Sequence, residues 1–187
     1  MVISLDAIIP CLAEHKNRNV RVGFVYLHQD DPAKSTMKKL QKFKLAEQVN
    51  RDRMSGYIVL RHDAERVLFP SDRIILGRKG ICIIEGSWNL GDLLGSYRKG
   101  TERKLPLLMA GNPVNFGKLG KLSSVEALVS ALFITGYIDQ AKEIMGKFTW
   151  GHTFMEMNIE LLNAYAQCHG EDDLKKVYSD FELEPNP

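Results

Sequence analysis

The chain has 187 residues, 44% of them hydrophobic and 26% charged, a balance that excludes a disordered or fibrous protein. No apolar run reaches the ~18–20 residues of a membrane-spanning helix, and the length suits one domain of ordinary size or two small lobes sharing a core. The net charge of +2 is unevenly spread: residues 1–124 hold 21 Lys/Arg against 12 Asp/Glu, and residues 125–187 hold 4 against 11, so a polyanion is expected on the first portion.

Residues 1–19 form an N-terminal extension with no element assigned to it. Asp6 and Pro10 interrupt its apolar stretch and no basic residue precedes it, so a secretory signal is not expected and the chain is placed in the cytoplasm. From residue 20 to 121, short β-rich runs alternate with helical patterns. Val20–Leu27 predicts a strand and Leu40–Val49 a helix. Tyr57–Leu60 is a second strand, Asp72–Leu76 a short helical piece, Ile81–Ile84 a third strand and Trp88–Leu94 a helix. Leu105–Ala110 is the last strand expected. Such alternation implies an α/β fold with a mostly parallel sheet and flanking helices.

After residue 122 the period becomes helical throughout. Val125, Leu128, Val129, Leu132 and Phe133 share one face of a first helix, and Gly136 is its stop signal. Ile138–Met145, Phe154–Tyr165 and Leu174–Phe181 carry three more. Residues 122–187 therefore read as an acidic, all-helical C-terminal lobe behind a basic α/β lobe.

Two junctions hold hydroxyls at a helix start. Asp30-Asp31-Pro32-Ala33-Lys34-Ser35-Thr36 follows the first strand. Ser123 and Glu126, three apart, form a capping-box spacing after the turn-rich Gly111–Gly120 segment. A Ser or Thr in such a place ordinarily caps its helix. Two such junctions also suit a carboxylate clamp, because each helix start offers oriented N–H donors and a hydroxyl. Cys11, Cys82 and Cys168 lie far apart without CxxC spacing and read as free thiols of a reducing compartment, Cys82 as a small core residue. The five scattered histidines give no metal-ligand spacing, so no metal is expected.

Several rare words occur in fixed order: Asp31-Pro32 with Ser35-Thr36 and Lys39-Leu40, then Glu85-Gly86-Ser87-Trp88, then Asn112-Pro113-Val114-Asn115-Phe116-Gly117 with Leu122-Ser123-Ser124-Val125-Glu126-Ala127, then Lys147-Phe148-Thr149-Trp150-Gly151. Over roughly residues 20–168 the chain closely resembles the ribosome-biogenesis aminocarboxypropyltransferases that modify small-subunit rRNA. The resemblance implies a knotted fold like that of the SPOUT methyltransferases, with S-adenosylmethionine held against the knot and the C-terminal helices completing its pocket. It implies that Thr36 and Ser124 hold the amino-acid tail of the donor. Trp88 and Gly91 line the pocket for its methyl group, Ile84 meets the ribose, Leu105 and Gly120 meet the adenine edge, and Leu60 and Leu122 are apolar walls. Relatives commonly have tyrosine at the Gly120 position, and Leu60-Arg61-His62 departs from their usual Leu-Ser-Pro.

Glu85 stands where relatives have Asp. There a carboxylate has two readings: assistance to proton loss from N3 of a methylated pseudouridine, or a structural role, capping the helix that follows or pairing with a basic residue. The expected RNA contacts are Lys34, Lys38, Lys39, Lys42, Arg98, Lys99, Arg103 and Lys104, each of which also reads as an ordinary solvated cation. The implied reaction transfers the 3-amino-3-carboxypropyl (acp) group to N3 of pseudouridine in small-subunit rRNA and releases 5′-methylthioadenosine, by a monomer that engages rRNA or a pre-ribosomal particle and no membrane. The rivals are a SPOUT-type RNA methyltransferase and a non-catalytic RNA-binding assembly factor.

Overall fold

The computed structural model describes residues 19–27, 34–85 and 100–184. Five strands, β1 (Val22–Tyr26), β2 (Glu47–Gln48), β3 (Ile58–Leu60), β4 (Ile81–Glu85) and β5 (Thr101–Arg103), form one sheet in the order β2-β1-β4-β3-β5. Every pairing is parallel, with Tyr26 opposite Glu85 and Leu60 opposite both Ile83 and Arg103. This is the largely parallel α/β architecture that the strand–helix alternation predicts. The central strands read as near-continuous apolar runs because both of their faces are covered.

The two faces differ in depth. Phe24, Ile58, Leu60, Ile81 and Ile83 point into the main core, where they meet Met37 and Leu40 of α1 (Thr36–Lys42) and Leu76 of α2 (Arg73–Lys79). Val25, Val59 and Cys82 point the other way, onto Met54 and Tyr57 at a 3₁₀ turn. Burial pushes the Cys82 thiol up to about 12.

Four further helices follow: α3 (Ser124–Ile134), α4 (Ile138–Met145), α5 (Gly151–Tyr165) and α6 (Glu171–Asp180). The predicted apolar face of α3 is buried, and so are Ala131 and Ile134, because α3 is a central helix covered by β4, α1, α4 and α5. Gly136 ends it at φ 81°, with Gly136 N–H donating to Phe133 O and Tyr137 N–H to Leu132 O. The helices share the core of the sheet, since Leu128, Leu132, Ile144 and Phe154 belong to the same cluster as Phe24 and Ile83. The Gln140 side chain also bonds both N–H and C=O of Val20, at 2.7 and 2.8 Å, tying α4 to the start of β1.

Two predicted elements need correction. The expected helix Leu40–Val49 instead begins at Thr36 and ends at Lys42. Lys44 takes a left-handed conformation (φ 59°), Leu45 N–H closes on Leu40 O, and the chain then enters β2 as an edge strand. The expected strand Leu105–Ala110 is not in the sheet. Pro106 has no N–H, and side chains bind the flanking peptides: Tyr165 and Tyr178 hydroxyls take the C=O and N–H of Leu107, and Asn158 does the same for Met109. The last strand is the polar β5, four residues earlier. The predicted helix Trp88–Leu94 lies outside the described residues.

Candidate functional site

The connections set the place of the site. From β1 the chain runs outward to β2, and from β4 it runs the opposite way across β3 to β5. The reversal lies between β1 and β4, at whose carboxyl ends an open parallel sheet leaves a crevice. Glu85 closes β4 there, and Ser35-Thr36 open the helix that follows β1.

These residues are joined in one hydrogen-bonded set. Ser35 caps α1, accepting from Lys38 N–H at 3.0 Å, and its hydroxyl donates to Glu85 Oε2. Thr36 Oγ1 and Met37 N–H both donate to Glu85 Oε1 at 3.3 Å. Glu85 is buried, and its carboxylate occupies the start of α1. The helix it caps precedes β4 by more than forty residues in sequence and neighbours it through the sheet. Thr36 and Glu85 are thus brought together, with the α1 start filled by the chain's own carboxylate.

The start of α3 is built differently. Glu126, completely buried, accepts from Ser123 N–H (2.6 Å), Ser123 Oγ (2.8 Å), Gly111 N–H (2.8 Å) and Asn112 Nδ2 (2.7 Å). The expected capping box is present and also anchors the segment that precedes it. Four donors on one carboxylate satisfy a charge that would otherwise be expensive to bury. Gly111 is required here, because a Cβ would come within 2.7 Å of Phe154 Cα. Ser124 is the first helical residue, half-buried, and the N–H groups of its turn have no intrahelical acceptor.

Leu60 and Leu122 lie in the main core, Leu105 packs against it, and α1 and α3 touch. Ile84 packs on the other side of the sheet, against the cluster of Val25, Val59 and Cys82. Gly120 has φ 72° and donates to Leu108 O, with Met109 and Leu119 paired beside it, so a hairpin-like loop carries Leu105 and Gly120. Trp88 and Gly91 lie outside the described residues.

Of the expected RNA contacts, Lys34, Lys39 and Lys42 are exposed, with Lys39 lying 4.5 Å over the Phe148 ring. Lys38 is half-buried, bonded to Gln48 and held over Phe24 and Tyr26. Lys104 is half-buried beside Val67. Arg103 is a correction: its guanidinium is buried and makes a forked pair with Asp72 (2.8–3.1 Å), so it holds β5 to α2 and does not face a phosphate. Arg98 and Lys99 lie outside the described residues. Among the described residues no group of three or more His, Cys, Asp or Glu is placed to hold a metal, and no helix is long and apolar enough to cross a membrane.

A family model described as "Ribosome biogenesis protein, C-terminal" matches residues 58–182. The 16S rRNA aminocarboxypropyltransferase of Thermoplasma acidophilum is 45% identical over 152 residues, spanning 81% of this chain and 93% of that protein. The chain belongs to this family. Another member, the 16S rRNA aminocarboxypropyltransferase of Thermoplasma volcanium, is 43% identical over 83% of this chain and 94% of its own. The solved structure of the SAM-dependent rRNA:acp-transferase Tsr3 from Vulcanisaeta distributa superposes with a TM-score of 0.79 at 35% identity, covering 88% of this chain and 90% of that one. The family is thus the one the sequence motifs resemble.

Four contributors to the site escaped the sequence reading. Asn112 as a partner of Glu126, and Asn158, Tyr165 and Tyr178 as supports of the Leu105–Gly111 segment, act across 14 to 71 residues of sequence. Tyr165 and Tyr178 were legible only as positions on helix faces and Asn112 only as a turn residue, while Asn158 is a polar residue between Phe154 and Leu161 of α5.

Proposed function

We propose that this chain transfers the 3-amino-3-carboxypropyl group of S-adenosylmethionine to N3 of a pseudouridine in small-subunit rRNA, acting as a cytoplasmic monomer. The observation that carries the reading is extent: relatives named for this activity align over more than nine-tenths of their own length at 45% and 43% identity. The switch point between β1 and β4, with Leu60 ending the neighbouring strand and Leu105 and Leu122 in the same apolar cluster, supports a site for an adenosyl group.

In the reaction the N3–Cγ bond forms as the S–Cγ bond breaks; the N3 proton is lost and 5′-methylthioadenosine leaves. The sulfonium activates all three of its carbons, so the enzyme's contribution is to decide which one faces the base. Ser124 and the N–H groups of Ser124 and Val125, which the capping box does not use, suit the donor's carboxylate. Thr36 belongs to the same pocket through its bond to Glu85. With both oxygens engaged by α1, Glu85 supports the amino-acid tail's surroundings as a positioning residue. Trp88 and Gly91 are assigned the methyl pocket on the family's pattern, and the knotted path and the completion of the pocket by residues 122–187 are carried over on the same ground.

By-product analysis tests the proposal. Incubation with S-adenosylmethionine and small-subunit rRNA lacking the modification is expected to give 5′-methylthioadenosine and acp-modified nucleoside. S-Adenosylhomocysteine would instead mark a methyltransferase. Intact rRNA binding with neither product would mark an assembly factor without catalysis.

A further inference from the structure

The loop between Asn112 and Lys118 holds two large apolar side chains out in solvent. Val114 is 83% exposed and Phe116 is 60% exposed, more than any other large hydrophobic residue described. Such exposure ordinarily goes with a floppy segment, but this loop is braced. Asn112 Oδ1 accepts from Val114 N–H (3.2 Å) and Asn115 N–H (3.0 Å), and Gly117 N–H donates to Ala110 O (2.7 Å). Lys118 bonds back through both main-chain groups, to Asn115 O and from Ala110 N–H. At its base Gly111 and Asn112 are fixed to Glu126, two residues from Ser124. An apolar tip held rigidly away from the core gains nothing from the fold and is shaped for a partner.

Charge identifies the partner. From Arg103 to Val125 the chain carries Lys104, Lys118 and Lys121 in addition to the paired Arg103, and no Asp or Glu. Lys118 is exposed one residue beyond Gly117, around which there is open space. An exposed aromatic ring with an exposed lysine two residues on fits unpaired nucleic acid: a base stacks on the ring while a neighbouring phosphate meets Lys118. An apolar protein surface would make no use of the lysines. We propose that Phe116 is a stacking platform for an unpaired base of the RNA substrate next to the modified nucleotide, with Val114 closing the edge of the stack and Lys118 meeting the backbone. The proposal rests on the rRNA reading above and adds the loop tip as its contact surface.

The test is direct binding of a short single-stranded RNA and of a fully paired hairpin to the intact chain, followed by fluorescence anisotropy. Phe116→Ala is expected to weaken single-stranded binding about tenfold without changing the salt slope, while Phe116→Tyr stays near wild type. Lys118→Ala should lower the slope by about one phosphate's worth. In Phe116→Trp the added indole emission should be quenched by the single strand and unaffected by the hairpin. Affinity for S-adenosylmethionine, measured by calorimetry, should be the same in all variants. Single-stranded affinity of Phe116→Ala within twofold of wild type would overturn the proposal, even with acp transfer intact. Loss of binding in Phe116→Ala, with no acp product from the wild type, would uphold the platform and reject the transferase reading.

Discussion

At Glu85 two roles compete for one carboxylate. A general base needs an oxygen facing the acceptor, whereas here Ser35, Thr36 and the Met37 N–H hold both oxygens to α1. Glutamine fits the same arrangement: its oxygen accepts from Thr36 and Met37, and its NH₂ can donate to the Ser35 hydroxyl. Glu85→Gln should therefore keep transfer within about tenfold of wild type and lower stability by about 1 kcal/mol, as single-turnover rates and urea midpoints will measure. A loss of ~10²–10⁴ in rate with unchanged donor affinity would assign proton transfer to Glu85 after all. Cys82 offers a second test at this scale. Its thiol, neutral when protonated, is pushed up to about 12 by burial, while in the unfolded chain it ionises near pH 8.5. Above that pH the unfolded state sheds a proton that the folded state keeps, so stability is complete below about 8.5 and falls as pH rises toward 12. By pH 10.5 the thiol alone should account for about 3 kcal/mol, and urea midpoints of Cys82→Ala should drop correspondingly less between pH 7.5 and 10.5. The raised Tyr57 hydroxyl, up to about 12 through burial and its bond to Glu47, acts in the same direction.

Among the elements, the outer strand β5 is held as much by its ion pair as by its ladder. Arg103 and Asp72 are both buried, and the pair joins β5 to the turn before α2. Asp72→Ala leaves a guanidinium without its counter-charge and is expected to cost about 3–5 kcal/mol in chemical denaturation. The double variant Arg103→Met with Asp72→Leu, which removes both charges, should recover most of that loss. Equal destabilisation of the single and double variants would show that shape, not charge, holds the edge. The same strand explains what could be read in advance. β1, β3 and β4 announced themselves as Val, Ile and Leu runs because they are covered on both faces. β2 (Glu-Gln) and β5 (Thr-Glu-Arg) gave no such signal, since an edge strand is fixed by main-chain pairing and its side chains meet solvent or an ion pair. Leu105–Ala110 has a strand's composition without a strand's partner, because distant tyrosines and an asparagine satisfy its peptides. The helices from α3 onward were legible from their 3.6 period and from Gly136. The early start of α1 was signalled by Ser35 as a cap, and its early end at Lys42, turned by the left-handed Lys44, had no glycine to mark it.

For the molecule as a whole, the proposed site would draw on the ends of β1, β3 and β4, the start of α3 and the loop before it, so a ligand there would bridge sheet and helices. A donor that binds only the folded state should raise stability by about 2.7 kcal/mol at a hundred times its Kd. For a chain of this size that is a rise of about 5–10 °C in Tm, which differential scanning fluorimetry with S-adenosylmethionine will register. No shift at saturating donor would reject the proposed pocket. The candidate residues were recoverable from sequence words, but the sharing of Glu85 with α1 was not. It depends on β1 and β4 lying side by side, which strand order decides and local pattern does not.

The Leu107 peptide is held between the hydroxyls of Tyr165 and Tyr178, more than fifty residues downstream. During synthesis the sheet strands emerge first, yet the full set of bonds on the stretch assigned to adenine in the proposed complex closes only once Tyr178 has cleared the exit tunnel. On that proposal, a nascent chain would complete its donor-facing segment only when nearly all of it has been made.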